Sequence, residues 1–353
     1  SKTTHKGSRL TTMRLESACS NTFARHETFH PRFGWFRKAF VAAASDPAIF
    51  NDPEATVRLG VGKNMVRSLR FWGTASHLLV DEPVGGTRQR NTKPTNVAAA
   101  LLRPGGLDPY METAGTWWWL HWLLLGPECQ LPVWWMIIHD LPIVEFDEVV
   151  LLQACEQIVD ASTWKAPHES SIAKDISAFV RTYGDVTSAR GKFDDQFGCP
   201  LRDLNLLTAS PTGGYRLAHE RPASLPGEIV LLALLDHAAM QPDPASTISL
   251  ARVATDPGAP GRAFRLDDTD IADLIEPVVD DTPGLSLSAP TGAPQLGWKR
   301  TPAAIAQDVI ASYYNRTGDD LPPIIGYNAR SAYGDHNILQ LRISADERNT
   351  LVS

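Results

Sequence analysis

The stretch LGVGKNMVRSLRFW, residues 59–72, decides the fold because its Gly62-Lys63 pair suits either a phosphate-binding loop or the start of a helix. A Walker-type loop requires G-x-x-x-x-G-K-[ST], in which the first glycine permits the turn and the hydroxyl binds magnesium. Val57 stands at the first glycine position and Asn64 at the hydroxyl position. The pattern therefore argues against a phosphate loop, and no nucleotide cofactor is expected.

The other interpretation, a helix-turn-helix motif, fits the neighbouring residues. Asp52 and Pro53 are typical of a helix start and predict a short helix over about residues 53–58. Gly60 permits a tight reversal of the chain, and a longer helix is expected from about residue 63 to about residue 78.

The second of these helices has two distinct faces. Apolar residues recur at i, i+4 and i+7 from Met65, which is the spacing of a buried stripe. Lys63, Arg67 and Arg70 share that spacing on another face, beside Asn64. Because cations suit phosphates and Arg and Asn suit base edges, we interpret this as a DNA-reading helix; the alternative is an amphipathic helix whose cations face solvent. The predicted DNA-binding residues are Arg58, Lys63, Asn64, Arg67, Arg70, Arg88 and Arg90.

The charge of the chain is unevenly distributed. The net charge is −7, but residues 1–110 contain 16 Lys and Arg against 8 Asp and Glu, and the remainder contains 17 against 32. Charge segregated in this way is typical of a chain in which one half faces an anionic partner. The predicted reading helix lies in the basic half, which favours DNA as that partner.

The hydrophobic periodicity predicts a mainly α fold with small β hairpins. Residues 1–22 are expected to be a disordered or expression-derived arm, followed by a basic helix-turn-helix domain over residues 23–105. We expect this domain to be winged-helix-like, because the polar segment 81–96 resembles a wing-like turn or loop. A Trp-rich helical domain is expected over residues 106–222 and an acidic α+β domain over residues 223–353.

The acidic domain is also predicted to be winged-helix-like. Residues 228–240, 247–255 and 267–281 have helical patterns, and residues 284–300 resemble a β hairpin. Three helices followed by a hairpin is the order of a winged helix.

The Trp-rich stretch WWWLHWLLL, residues 117–125, is too short to cross a membrane, because a spanning helix needs about 20 apolar residues. Asp108 and Pro109 predict the start of this helix, which we expect to be buried. No signal peptide is visible, so a cytoplasmic location is expected. The four cysteines form no CxxC pair, which argues against a zinc site or a disulfide framework.

Candidate catalytic residues lie in the segment RHETFHPR, residues 25–32. His26 and His30 suit proton transfer or metal binding, Glu27 suits metal binding, and Arg32 suits the phosphate. We therefore predict a catalytic role for these four residues, with Mg²⁺ or Mn²⁺ as the metal and Glu27 and His26 as candidate ligands. The alternative is that the loop packs over the helical core, with Glu27 paired to an arginine.

Four blocks of sequence resemble the SspB-type proteins of DNA phosphorothioation operons. They are ARHETFHPRFGWFRKAF at residues 24–40, LGVGKNMVRSLRFW at residues 59–72, LDPYMETAGTWWWLHWLLL at residues 107–125 and CPLRDLNLL at residues 199–207. The resemblance implies a DNA nickase of a bacterial defence system that acts with a cysteine desulfurase, an ATP-pyrophosphatase-like protein and an ATPase. In such a system the nick allows sulfur to replace a non-bridging phosphate oxygen. The resemblance assigns no catalytic residue here.

The sequence therefore leaves two alternative functions open. The first is a metal-dependent endonuclease that nicks one DNA strand for phosphorothioate modification. The second is a non-catalytic DNA-binding or regulatory subunit that recruits the sulfur-transfer proteins to DNA.

Overall fold

A computed structural model describes residues 15–184, 198–241, 245–289, 292–316, 318, 321–335 and 337–339. The helices of these residues are α1 (Trp35–Ser45), α2 (Ala55–Leu59), α3 (Lys63–Ala75), α4 (Asn96–Leu102), α5 (Ala114–Leu125), α6 (Pro132–Trp135, continued by a π-helical turn Met136–Asp140), α7 (Glu148–Asp160), α8 (Glu169–Tyr183), α9 (Gly227–Ala239), α10 (Leu250–Thr255), α11 (Pro260–Phe264), α12 (Asp268–Asp281), α13 (Pro302–Tyr313) and α14 (Gly326–Ala329). The strands are β1 (Leu79–Pro83), β2 (Arg90–Pro94), β3 (Glu145–Phe146), β4 (Leu207–Ala209), β5 (Tyr215–Leu217), β6 (Thr247–Ser249), β7 (Leu285–Ser288) and β8 (Gln295–Trp298). They form small antiparallel sheets in the orders β1-β2, β3-β5-β4 and β6-β8-β7. The predicted mainly α fold with small β hairpins is confirmed.

The Trp-rich helix α5 forms the centre of the core. It is apolar on all sides, and a helix of this kind is stable only when it is buried all round. Trp118 is fully buried and Trp122 is 1% exposed, and α5 packs against α9 and α11. Because α9 is almost as uniformly apolar, the two helices bring the middle and the end of the chain into one hydrophobic cluster.

The start of α5 differs from the prediction. Helix α5 begins at Ala114, where the hydroxyl of Thr113 accepts a hydrogen bond from the backbone of Thr116. Asp108 is buried before it, and its carboxylate accepts hydrogen bonds from the backbone N–H groups of Glu112 and Thr113. The Asp108 carboxylate therefore closes a turn that precedes the helix.

In the basic half, α2 and α3 are joined by the turn at residues 60–62, and the β1–β2 hairpin follows. Gly60 has φ 62°, a left-handed conformation that glycine adopts without a Cβ clash. Leu69 and Trp72 on α3 are each 1% exposed, and α1 packs against α3 and the hairpin. Much of the polar segment 81–96 is thus regular antiparallel sheet, in which Leu79 faces Pro94 and Pro83 faces Arg90.

In the acidic part the observed order is helix, strand, helix, helix, helix and hairpin, from α9 to β8. The segment 247–255, predicted as one helix, is divided: its first three residues pair with β8 and its last six form α10. The predicted hairpin is present as β7 and β8, with Leu285 opposite Trp298.

A buried ion pair lies within this part of the chain, and its carboxylate also binds Trp122 of α5. The Asp236 carboxylate on α9 accepts hydrogen bonds from Arg330 at 2.9 and 3.1 Å, from the backbone of Gly326 at 2.7 Å and from the Trp122 indole at 2.8 Å. Burial raises the pKa of Asp236, but the Arg330 charge and these hydrogen bonds outweigh it, so the pKa lies below its usual value.

The core continues through the predicted domain boundaries. Buried residues from Leu15 to Ile338 belong to one cluster that includes residues on both sides of positions 105 and 222. Of the predicted arm, residues 15–22 are described, and Leu15 is fully buried there. The domain boundaries themselves stay predictions.

None of the helices in the described part of the chain is long and apolar enough to cross a membrane.

Candidate nucleic-acid interface

The candidate loop, residues 24–30, is fixed to α8 by one buried carboxylate. Asp175 accepts hydrogen bonds from the backbone N–H of Ala24 at 3.0 and 3.2 Å, and one of its oxygens lies 2.7 Å from His26 Nε2. The His26 ring is stacked on Trp72 of α3, with 5.9 Å between the ring centroids. Burial raises the pKa of Asp175, although the hydrogen bond with His26 acts in the opposite direction. His26 therefore anchors the loop between α3 and α8.

The backbone of this loop adopts a conformation that L-residues rarely use. Ala24, Glu27 and Thr28 have φ values of 53°, 51° and 68°. Each such conformation costs about 1–3 kcal/mol and persists only where the surrounding structure holds it. Arg181 donates a hydrogen bond to the Thr28 carbonyl at 2.7 Å, and the Trp72 indole donates to the next carbonyl at 3.1 Å. Strain held in this way is common at functional sites.

Glu27 is the accessible acidic group of the loop. Its side chain is 32% exposed, and Oε1 lies 3.5 Å from Nη1 of Arg67 on α3. The Arg67 side chain is 55% exposed, so this ion pair is open to solvent and weak. The pairing matches the alternative in which Glu27 meets an arginine, and it also places a carboxylate beside the predicted reading helix.

The first turns of α3 present the accessible cations of the predicted site. Lys63, Asn64 and Arg67 are exposed, and the first turn of α3 contains no acidic residue. Gly62 at the N-cap supplies no side-chain acceptor for the first N–H groups, so the positive end of the helix dipole faces the same region. We call Glu27, Lys63, Asn64 and Arg67 the loop–helix face.

Besides Arg67, three of the predicted DNA-binding arginines are already engaged within the protein, two by carboxylates and one by a backbone carbonyl. Arg58 Nη1 lies 2.7 Å from Asp46 and 2.5 Å from Asp52, and these hydrogen bonds raise the pKa of Arg58. Arg70 lies 3.0 Å from Asp81. Arg90 donates to the Asp81 carbonyl at 2.7 Å, whereas Arg88 is exposed in the turn between β1 and β2. The cationic face predicted along α3 is therefore reduced to its first two turns.

The predicted catalytic residues do not share one open cleft. His26 is fully buried, His30 is 2% exposed, and the Arg32 guanidinium lies 5.6 Å from the ring centroid of Trp35. Only the Glu27 carboxylate of this predicted set combines solvent access with a position beside α3. The local sequence contains no signal for these positions, because Asp175 lies 149 residues from His26.

The described residues do not supply a metal cage. Within them, no three His, Cys, Asp or Glu side chains are grouped closely enough to hold a metal ion. Of the two candidate ligands, His26 is engaged by Asp175, and Glu27 faces a cation.

The chain is similar to known proteins over most of its length. The family described as a protein of unknown function, DUF4007, matches residues 23–314. A magnesium ion-bound SspB crystal structure is 36% identical in sequence with a TM-score of 0.82, covering 92% of this chain and 94% of its own. A second SspB crystal structure is 35% identical with a TM-score of 0.81, covering 96% of this chain and 97% of its own. No curated protein matches the chain.

Proposed function

The chain belongs to the SspB family, and we propose that it binds DNA through the loop–helix face and nicks one strand in a DNA phosphorothioation system. The observation that carries this proposal is the accessible pair of cations at the start of α3, next to the accessible carboxylate of Glu27. Cations hold phosphates, and a carboxylate beside them is suited to activating water.

The α2–α3 unit acts in this proposal as a helix-turn-helix motif. Support comes from a short helix, a glycine turn and a longer helix whose apolar side is buried and whose first turns are cationic. The N-terminal residues of a reading helix are the ones that contact base edges, and here they are Lys63, Asn64 and Arg67. Arg88, at the tip of the hairpin, would contact phosphate as a wing does.

The proposed reaction is hydrolysis of one phosphodiester bond. Glu27 accepts a proton from water as the water oxygen forms a bond to phosphorus; the bond from phosphorus to one ester oxygen breaks, and that oxygen leaves as a hydroxyl after taking a proton from solvent. Arg67 and Lys63 stabilise the charge that develops on the phosphate oxygens. His26 and Asp175 touch none of the reacting atoms, and they act as positioning residues for the loop that carries Glu27.

A divalent metal belongs to the proposal as an expectation from the relatives. One similar structure is magnesium ion-bound SspB, and Mg²⁺ often binds through one carboxylate together with substrate phosphates. Since the described residues form no metal cage, no step of the reaction is assigned to a metal here.

A plasmid assay tests the nickase. Purified protein with supercoiled plasmid and Mg²⁺ or Mn²⁺ is expected to produce open circles, and EDTA is expected to stop the reaction. Glu27→Gln should abolish nicking but retain DNA binding, while Glu112→Gln, an exposed glutamate outside the loop–helix face, should have no effect. Wild-type protein that nicks with no metal would overturn the metal requirement. Wild-type protein that never nicks would overturn the nickase, and full activity of Glu27→Gln would overturn the role of Glu27 alone.

A second candidate function is a non-catalytic subunit that recruits a cysteine desulfurase, an ATP-pyrophosphatase-like protein and an ATPase to DNA. The burial of His26 and His30 favours it, because buried imidazoles cannot reach a phosphate without movement of the loop. In this case the wild-type protein binds DNA and never nicks it, and purified sulfur-transfer proteins bind the protein–DNA complex.

The acidic part of the chain enters the proposal as a second winged-helix-like unit. Its element order and its β6-β8-β7 sheet support this topology, with α12 in the place of the reading helix. Exposed Asp273, Glu276 and Asp280 would repel phosphates, so we assign α12 no DNA contact.

A further inference from the structure

A groove of about 520 Å³ lies in the basic half, between α1 and the segment that ends with α2. Its floor is apolar and includes Val41, Ile49 and Leu59, and its walls include Arg37 and Lys38. Leu59 ends α2 and precedes the turn into α3, so the groove adjoins the proposed helix-turn-helix motif on the side of α1.

The charge along the groove is positive. Among the described side chains that line it, Arg37, Lys38 and Arg58 are cations and none is a carboxylate. Arg58 is neutralised by two aspartates outside the lining, so Arg37 and Lys38 supply the charge for a ligand. An anionic occupant therefore fits this groove better than a neutral or cationic one.

Two exposed aromatic side chains lie next to residues that line the groove. Phe33, next to the groove-lining Gly34, is 66% exposed, and Tyr110 is 63% exposed. The Arg37 guanidinium lies 4.7 Å from the Tyr110 ring centroid and covers one face of that ring. Arg37 also donates a hydrogen bond to the Pro109 carbonyl at 2.9 Å. A single exposed ring is ordinary on a protein surface, but exposed rings that lie next to cations offer stacking faces for bases.

We propose that this groove binds an unpaired DNA strand, with bases stacked on Phe33 and Tyr110 and phosphates paired to Arg37 and Lys38. Alternation of aromatic rings and cations is the chemistry of single-strand binding, because every base has a stacking face and every nucleotide a phosphate. A continuous duplex cannot use the rings, since its base faces are covered by neighbouring base pairs. An apolar helix of a partner protein would not use the two cations.

The inference rests on the proposed DNA-binding function but concerns a different surface. A duplex held on α3 would pass its frayed strand end, such as the end left by a nick, to the adjoining groove. The groove thereby adds a preference for DNA in which part of one strand is unpaired.

Fluorescence anisotropy with three labelled DNAs tests this preference. They are a blunt duplex, the same duplex with a single-stranded thymidine flap, and that flap with its bases replaced by abasic sites. We expect the wild-type protein to bind the flap DNA at least about fivefold more tightly than the blunt duplex, and to lose this gain with abasic sites, which keep the phosphates.

Phe33→Ala and Tyr110→Ala should each lower affinity for the flap DNA at least about fivefold and leave blunt-duplex affinity within about twofold. Tyr327→Ala is the matched control, because Tyr327 is 60% exposed on α14 and outside the groove. Lys38→Ala should reduce the salt dependence of flap binding, and Lys174→Ala, at an exposed position on α8, should not.

Equal wild-type affinity for flap and blunt duplex, or flap affinity unchanged in both aromatic variants, would overturn the groove assignment. Retention of the gain with abasic sites would overturn base stacking. Neither result touches the proposed duplex binding by the loop–helix face, which fails if Lys63→Ala and Arg67→Ala leave duplex binding unchanged or if the wild-type protein binds no duplex.

Discussion

The two ends of this chain use a similar order of elements with opposite charge. In the basic half, α2 and α3 precede the β1–β2 hairpin, and in the acidic part, α10 to α12 precede the β7–β8 hairpin. The exposed positions of α3 include Lys63 and Arg67, whereas those of α12 include Asp273 and Glu276. The arrangement of helices and hairpin therefore does not distinguish the two ends of the chain; the charge of the exposed side chains on the helix before the hairpin does.

Each region contains a buried carboxylate, and the two carboxylates have different partners. Asp175 holds the loop beside α3 through His26, and Asp236 on α9 binds Arg330, which follows α14. The guanidinium is permanently charged and the imidazole is not. Burial therefore prevails at Asp175, where the pKa is raised, while the ion pair prevails at Asp236, where the pKa is lowered.

The largest expected effect comes from breaking the Asp236–Arg330 pair. Arg330→Met should lower the free energy of unfolding by about 3–5 kcal/mol, because it leaves a buried carboxylate without its counter-charge. Urea denaturation measures the loss. Arg252→Ala, which removes an exposed pair with Asp256, should change stability by at most about 1 kcal/mol. Equal losses in the two variants would mean that the buried pair contributes no more to stability than the exposed pair.

Acidification should affect the two carboxylates in opposite directions. The lowered pKa of Asp236 gives stability that is present above the unfolded value of about 3.9 and is lost as pH falls through the folded value. The raised pKa of Asp175 gives stability that is present at low pH and is lost as pH rises through the folded value.

Urea denaturation between pH 7 and pH 3 measures this difference. The stability gap between wild type and Asp236→Asn should narrow as pH falls. The free energy of unfolding of the wild type, relative to that of Asp175→Asn, should increase as pH falls. Gaps that move in the same direction would contradict the opposite environments of the two aspartates.

Binding of duplex DNA should respond to α3 and not to α12. The double variant Lys63→Ala and Arg67→Ala should weaken affinity at least about tenfold and reduce the slope of log affinity against log salt by about 1.8, as two phosphate contacts are lost. The counterpart, Asp273→Ala with Glu276→Ala, should leave affinity within about twofold. A salt titration by anisotropy distinguishes the outcomes, and a stronger effect from α12 would assign DNA to the acidic part instead.

The smallest effect is expected at the neutralised arginines. Arg58→Ala and Arg70→Ala should each change duplex affinity by less than about twofold, because Asp46, Asp52 and Asp81 already compensate their charges. The same salt titration by anisotropy measures the duplex affinity of these variants. A loss as large as that of Arg67→Ala would show that DNA displaces the aspartates.

The sequence was informative wherever the deciding contacts are local. The stripe that includes Leu69 and Trp72 predicted the buried side of α3, and glycine at position 60 predicted the turn before it. The predicted end of α3 was about three residues too late, because β1 begins at Leu79. Sequence periodicity therefore located the helices better than it located their ends.

The candidate site was less predictable because its partners are distant in sequence. Asp175 binds the His26 ring and keeps it buried. Asp81 neutralises the charge of Arg70 from strand β1, where the sequence predicts a wing-like turn or loop. Residue types in one segment show which chemistry is available, but they do not show which side chains meet solvent. Glu27 beside Arg67 was one of the two alternatives that the sequence left open.

The contacts of α5 also determine how the chain can be divided. Phe264 of α11 packs edge-on to Trp118 at 5.9 Å, and Trp122 reaches Asp236. A fragment that keeps α5 but lacks the acidic part would expose these indole rings to water and would tend to aggregate. The acidic part therefore cannot be removed without exposing α5 to water. Chimeras between relatives should take α5, α9 and α11 from the same parent protein.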